Sequence, residues 1–246
     1  MAFVPSLGDR DARTGDLRPT FVSGPSACAY LPDRTARTRY ELAFDLAAPE
    51  FLQALQDGWR RFGPVKFKPE CPSCSMFRSL RVPVADFRPT TSQRRAWNRN
   101  RRDVTLDIVE PSTSEDRIEL FRRFHDHGAR TKQWPARDTA DLRMFISNPF
   151  RTEEWDYRVG DRLIGVGYVD ALDSALSAIY FCHEPDEHRR GLGTFNILTM
   201  IEVARQRGLS HVYLGYYVEG CRSLEYKARF RPHELLTRGV RWERVP

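Results

Sequence analysis

The sequence predicts an α/β protein, a mixed sheet with helices preceded by a smaller N-terminal domain that carries cysteines, and three observations lead there. Residues 177–218 read as a strand, a glycine-bearing turn, a long helix and a second strand. A hairpin signature precedes them: strand-like runs at 157–159 and 162–171 flank the Gly160-Asp161 turn, and Asp173-Ser174 marks a further turn into another strand. The first hundred residues instead join short strand-like pieces to one helix and hold Cys28, Cys71 and Cys74.

The chain has 246 residues, 41% of them hydrophobic, enough for one large core or two modest ones. No apolar run approaches the roughly 18 residues that a membrane span needs. The first residues also lack the basic-then-apolar pattern of a secretory signal. The expectation is a soluble, cytoplasmic protein with no membrane partner, a monomer by preference. Five cysteines are an odd number for a disulfide framework, and a chain of this length needs no stapling, which leaves reduced thiols or metal ligands. The net charge is +6, and of 39 basic residues all but Lys66, Lys68, Lys132 and Lys227 are arginine. The planar guanidinium fork suits phosphate and carboxylate; a codon bias accounts for the excess equally well.

Along the chain, residues 1–25 read as a flexible leader, 26–103 as the N-terminal domain and 104–246 as the catalytic one. Residues 40–46 alternate apolar and polar side chains as a half-buried strand does. Pro49 then opens a helix that places Phe51, Leu52, Leu55 and Trp59 at helical spacing and stops at Gly63. A strand-like piece at 65–69, the Cys71-Pro-Ser-Cys74 knuckle and a second strand-like run at 80–84 follow. Residues 88–103 carry Arg88, Arg94, Arg95, Arg99, Arg101 and Arg102, interleaved with Trp97, and read as a seam between domains. Beyond it the pattern predicts helices near 114–128 and 138–147, with Trp134 and Pro135 in the loop between. His125 and His127, two apart, cannot share a helix face and read as positioning or core residues.

The turn Arg190-Gly191-Leu192-Gly193-Thr194 opens a helix in which Phe195, Leu198, Ile201 and Ala204 recur along one face and which Gly208 ends. Unpaired amides at the positive end of a helix dipole can hold a phosphate or carbonyl oxygen; the alternative is an ordinary helix start. This strand-turn-helix-strand unit resembles the acetyltransferase (GNAT-type) superfamily, in which such a turn cradles the pyrophosphate of acetyl-coenzyme A.

Other blocks resemble the arginyl- and leucyl-tRNA-protein transferases of the N-degron pathway. Cys28-Ala-Tyr30-Leu31-Pro32 is similar to that family's opening motif. So are Lys68-Pro69, Cys71-x-x-Cys74, Arg81, Ser92-Gln93-Arg94-Arg95 and Asn100, then His125-x-His127-Gly128, Leu192-Gly193-Thr194, Tyr213-Leu214-Gly215-Tyr216-Tyr217, Cys221, Tyr226-Lys227 and Phe230-Arg231-Pro232. The resemblance covers about residues 28–236, and the length is that of the bacterial branch, whose members carry leucine. It implies transfer of leucine from leucyl-tRNA to proteins that begin with Asp or Glu, marking them for degradation. Arginine as the donor residue, an acetyl-coenzyme A-dependent N-acetyltransferase, and a non-catalytic adaptor stay open.

That chemistry is attack of an α-amine on an aminoacyl ester, and it needs a neutral amine held beside the ester. Asp170, at the end of a central strand, is the candidate base, with a turn-capping role as the alternative. Tyr180, Tyr216 and Tyr226 are candidates for lining the cleft and protonating the leaving oxygen; Lys227 is a candidate for binding the tRNA end or stabilising negative charge. Arg81, Arg94 and Arg95 are expected to bind the acceptor's carboxylate, and the rest of the arginine run the tRNA. Arg190, Gly191, Gly193 and Thr194 are expected to hold the donor; an arginine at 190, where relatives more often have serine, makes the turn more like a coenzyme A site. The resemblance further implies an iron–sulfur or zinc site at Cys28, Cys71 and Cys74. Relatives often carry a third cysteine in the run where this chain has Phe77, and three thiolates fall short of a closed tetrahedral set.

Overall fold

The structure, a computed structural model, describes residues 18–132, 134, 137–237 and 241–246. The expected leader lies outside the described residues up to position 17, as does Pro135. Two sheets organise what is described. The smaller has the order β1-β4-β6-β5, built from β1 (Thr20–Val22), β4 (Thr38–Leu42), β5 (Arg60–Phe62) and β6 (Val65–Pro69), all antiparallel. A two-stranded ladder of β2 (Ser26–Ala27) and β3 (Thr35–Ala36) accompanies it. β1 and Arg18, which bonds Glu50, extend ordered structure into the expected leader.

The larger sheet has eight strands in the order β14-β13-β7-β12-β11-β10-β9-β8. They are β7 (Arg78–Pro83), β8 (Val104–Val109), β9 (Thr152–Val159), β10 (Arg162–Ala171), β11 (Ala175–His183), β12 (His211–Tyr217), β13 (His233–Thr237) and β14 (Arg241–Val245). Every pairing is antiparallel except β11 with β12. A parallel pair needs a crossover, and α5 (Leu192–Gln206) supplies it, ended by Gly208 at φ +69°. This is the mixed sheet, with its crossover helix, that the glycine turn and the hairpin signature predicted.

One face of the large sheet packs on α5 and α2 (Thr91–Asn100), with Leu198, Ile201, Leu176, Val212 and Leu214 buried together. The other face is covered by α1 (Ala48–Gln56), α3 (Glu115–Lys132) and α4 (Thr139–Ile146): Phe51 and Leu55 pack near Leu172 and Tyr213, while Phe121 and Phe145 pack near Val166 and Tyr168. Burying each such Leu or Phe side chain is worth about 1.5–3 kcal/mol.

Three local expectations change. The helix opened by Pro49 ends at Gln56, because Asp57 caps it and Gly58 turns the chain at φ +87°, so Trp59 lies beyond it and Arg60 and Arg61 enter a strand. A Cβ at Gly58 would also stand 2.9 Å from Leu236 Cδ2. The boundary expected at residue 103 does not separate the sheets, since β7, from its N-terminal side, lies between β13 and β12. The arginine-rich seam contains the helix α2, started by a capping box in which Thr90 Oγ1 accepts from Gln93 N (3.3 Å) and Gln93 Oε1 accepts from Thr90 N (2.8 Å). Thr90→Ala is expected to cost about 1 kcal/mol. In a thermal melt that is a fall of roughly 2–4 °C.

Candidate active site

β11 and β12 pair through Ala175–His211, Leu176–Val212 and Ser177–Tyr213, and then part. β12 also slips register against β7 between Tyr213 and Gly215, where Gly215 takes φ +85°. A wedge opens between the two strands, and two cations enter it. Arg60, on β5 of the small sheet, is 8% exposed and donates from Nη2 to Ala178 O on β11. Its Nε and Nη2 lie 3.6 Å from the point that a Cβ on Gly215 would occupy. Its Nη1 is buried and has no hydrogen-bond partner. Lys227 Nζ stands 3.5 Å from that same point and donates to Tyr216 O at 2.9 Å.

Burial, helped by the charge of Arg60, brings the Lys227 ammonium down to about 7. It is therefore a mixture of proton donor and acceptor near neutral pH. Burial likewise lowers the Arg60 pKa, with Tyr216 and Asp170 opposing the shift. Lys227 sits on a short 3-10 turn, Tyr226–Arg229, that follows α6 (Arg222–Glu225). Beside it Tyr226 is 37% exposed, with its hydroxyl pKa raised by desolvation, so it stays protonated and available as a donor.

Asp170 is placed otherwise than the sequence suggested. It is 0% exposed; Oδ2 accepts from Arg61 Nε (3.0 Å), and Oδ1 accepts from Arg61 Nη2 and from Thr152 Oγ1 (3.0 Å). Burial still raises its pKa against these partners. Both its oxygens are thus engaged within the protein and out of contact with solvent. Its role is to pin Arg61, and so strand β5, against the large sheet, which carries the neighbouring Arg60 into the wedge. Tyr216 is also a positioning residue, because its hydroxyl donates to Gly58 O (2.9 Å) and Phe67 O (3.2 Å) on the small-sheet side. The Tyr180 hydroxyl is tied to His125 Nε2 within a cluster of Phe121, Phe145 and His125, so these two side chains are packing partners.

The three arginines expected to seat a carboxylate are not brought together. Arg81 already has one: its Nε donates to Glu234 at 2.6 Å, its Nη1 to the Tyr213 hydroxyl at 3.1 Å, and the guanidinium stacks 4.1 Å from the Trp242 ring centre. Arg94 and Arg95 lie exposed on α2, Arg94 bonding Pro89 O and Thr91 Oγ1.

The glycine turn lies where β11 leads into α5, at the open end of the wedge. Gly191 takes φ +68° as the cap of α5, and no side chain caps the helix, leaving the first amides, at Leu192, Gly193 and Thr194, unpaired within it. Nothing lies within 4 Å of a Cβ at Gly193. Beside the turn, Arg99, Arg102, Asp103, Arg189 and Arg190 line an open groove of about 820 Å3. Arg190 is neutralised by Asp103 (2.8 Å) and Glu187 (2.7 Å) and fixes the turn. Among the described residues no carboxylate pairs with Arg99, Arg102 or Arg189. An uncapped helix start and three uncompensated arginines together make this surface cationic, a charge that suits phosphate.

The thiols do not fit a cluster. Among the described residues no three His, Cys, Asp or Glu side chains converge as metal ligands, and Cys71 Sγ rests 3.7 Å from Arg37 O. Phe77, the departure from the cysteine pattern, packs edge-on between Tyr30 and Tyr216. No step below is routed through a metal. Sequence reasoning missed Arg60, Arg61 and Arg189; the helix-stop signal Asp57-Gly58 would have placed the first two in a strand.

Comparison with known proteins identifies the family. Models of the N-terminal and C-terminal parts of arginine-tRNA-protein transferase match residues 26–95 and 116–237. The chain is 35% identical over 228 residues to the aspartate/glutamate leucyltransferase of Pseudomonas fluorescens (strain Pf0-1), covering 90% of this chain and 94% of that protein. It is 34% identical over 212 residues to the enzyme of that name from Halorhodospira halophila, covering 85% and 89%. Among solved structures it is similar to L-PGS from Bacillus licheniformis, at a TM-score of 0.49 and 12% identity over 68% of this chain and 61% of that one. Matched across both halves, the chain belongs to the arginine-tRNA-protein transferase family.

Proposed function

We propose that the protein transfers leucine from leucyl-tRNA to the α-amine of proteins beginning with Asp or Glu. The observation that carries this reading is the wedge itself: Lys227, poised near neutrality, beside the buried Arg60, at the end of the sheet where an arginine-lined groove meets the start of α5. Phosphates of the tRNA 3′ end occupy the groove and the α5 amides, and the aminoacyl ester reaches into the wedge. The Lys227 amine accepts a proton from the acceptor's α-ammonium, an ordinary group of pKa about 7.7–8.0. The freed nitrogen attacks the ester carbonyl, the new C–N bond forms, and the C–O bond to the ribose breaks. Lys227 passes that proton to the leaving ribose oxygen, to which the Tyr226 hydroxyl donates a hydrogen bond, and takes the second proton from the new amide nitrogen, so that it ends as the ammonium. The relatives' name favours leucine over arginine as the donor residue. The acetyl-coenzyme A reading loses its support, because Arg190 is already held by two carboxylates.

The reading is tested by offering radiolabelled leucyl-tRNA and an Asp-start peptide to the purified protein. Label should pass to the peptide, and RNase pretreatment of the donor should abolish transfer. Label remaining on the tRNA in the untreated reaction would contradict it. A further expectation concerns the groove: Arg99→Ala with Arg102→Ala should weaken tRNA binding, and the slope of log affinity against log salt should fall by roughly 1–2 as phosphate contacts are lost. Filter binding across a salt series measures this, and an unchanged slope would place the tRNA elsewhere.

A further inference from the structure

A family that selects acidic acceptors needs a cation to read the first side chain, and the three arginines that the sequence offered do not form that site: Arg81 is neutralised by Glu234, while Arg94 and Arg95 lie exposed on α2. Arg60 differs from all of them. It is more than nine-tenths buried, among the described residues no carboxylate lies within ion-pair distance of it, and Nη1 has no partner at all. The nearby acid, Asp170, is spent on Arg61 and Thr152. A buried guanidinium held without an anion is costly, and the cost is relieved when a carboxylate binds.

The guanidinium also stands in the right place. It bridges the two parting strands, bonded to Ala178 O on β11 and against Gly215 on β12, with Lys227 Nζ approaching the same side of that glycine. An acceptor whose amine meets Lys227 would bring its side chain, one or two carbons away, to the neighbouring cation. A second positive charge beside the first excludes Lys and Arg termini, and an amide such as Asn or Gln gains no charge pairing there.

We propose that Arg60 is the specificity-determining residue for the acceptor, binding the side-chain carboxylate of an N-terminal Asp or Glu in the wedge between β11 and β12. This rests on the transfer reaction proposed above. Nη1 is out of contact with solvent when the wedge is empty. A carboxylate that reaches it enters a desolvated site, where charge pairing is strong.

The experiment uses the full chain, leucyl-tRNA and four peptides that differ in their first residue: Asp, Glu, Asn and Gln. With Arg60→Gln, kcat/KM for the Asp and Glu peptides should fall on the order of 100-fold, largely through KM, while the poor values for Asn and Gln peptides stay put. The acidic-to-amide ratio then collapses toward one. Arg60→Lys, which keeps the charge and loses the fork, should restore part of the ratio. An equal loss in kcat for all four peptides, with the ratio preserved, would overturn the assignment and give Arg60 to the ester carbonyl instead. Should both variants fail to fold, the unaltered protein decides: the Arg60 side-chain 15N resonance should shift on titration with the Asp peptide and not with the Asn peptide, and no difference between them would overturn the proposal. Absence of leucyl transfer by the unaltered chain to any peptide is a separate result that removes the functional reading and the proposal with it.

Discussion

Asp170→Asn should unfold far more readily than the unaltered protein, by about 3–5 kcal/mol, because it leaves the Arg61 guanidinium buried without its counter-charge. For a chain of this length that is a fall in melting temperature on the order of 10 °C. The pair joins β5 of the small sheet to β10 of the large one, so its loss also frees Arg60 from the wedge. Below the melting temperature, transfer should therefore drop as well, while its pH dependence keeps the shape set by Lys227. A melting temperature near that of the unaltered protein, combined with a vanished lower limb of the pH profile, would return Asp170 to the role of base.

The second large effect belongs to Lys227. In the proposed reaction its amine acts in the neutral form, and burial has brought its pKa down to about 7. The rate should accordingly rise with pH through about 7 and level above it, subject to the acceptor amine's own rise at about 7.7–8.0. The sign follows from which form is active: a base is lost, not gained, as pH falls. Lys227→Met should reduce kcat by roughly 100- to 10,000-fold, the usual worth of a positioned base. What activity remains should rise only with the acceptor's titration. Single-turnover rates with preformed leucyl-tRNA across pH 6–9, roughly spanning both pKa values, would show this. A limb near 7 that survives the substitution would remove Lys227 from proton transfer.

The long elements were legible because their signals are local. The period of Phe195, Leu198 and Ile201 with Gly208 beyond them gave α5, and the Gly160-Asp161 turn gave the hairpin of β9 and β10. The small sheet and the β13–β14 pair were less so. β13 is held by β7, some 150 positions earlier in the chain, and no local pattern announces such a partner. The site divided in the same way. Lys227 and the glycine turn drew notice because a motif surrounds them. Arg60 could not, since its importance comes from what it lacks, an anion, and from the strand that delivers it between β11 and β12. Asp170 looked free at its strand end, because the Arg61 that engages both its oxygens stands 109 positions away in the chain and leaves no local signal.

The wedge between β11 and β12 is held to seat a leucyl ester on tRNA next to an acidic chain terminus. The direct measurement gives the protein one Asp-start peptide with leucyl-tRNA, arginyl-tRNA and acetyl-coenzyme A in parallel, and weighs the peptide product by mass spectrometry. Addition of leucine, with the other two donors leaving the peptide unchanged, is the result this account predicts. Addition of an acetyl group from coenzyme A with none from either tRNA would contradict it.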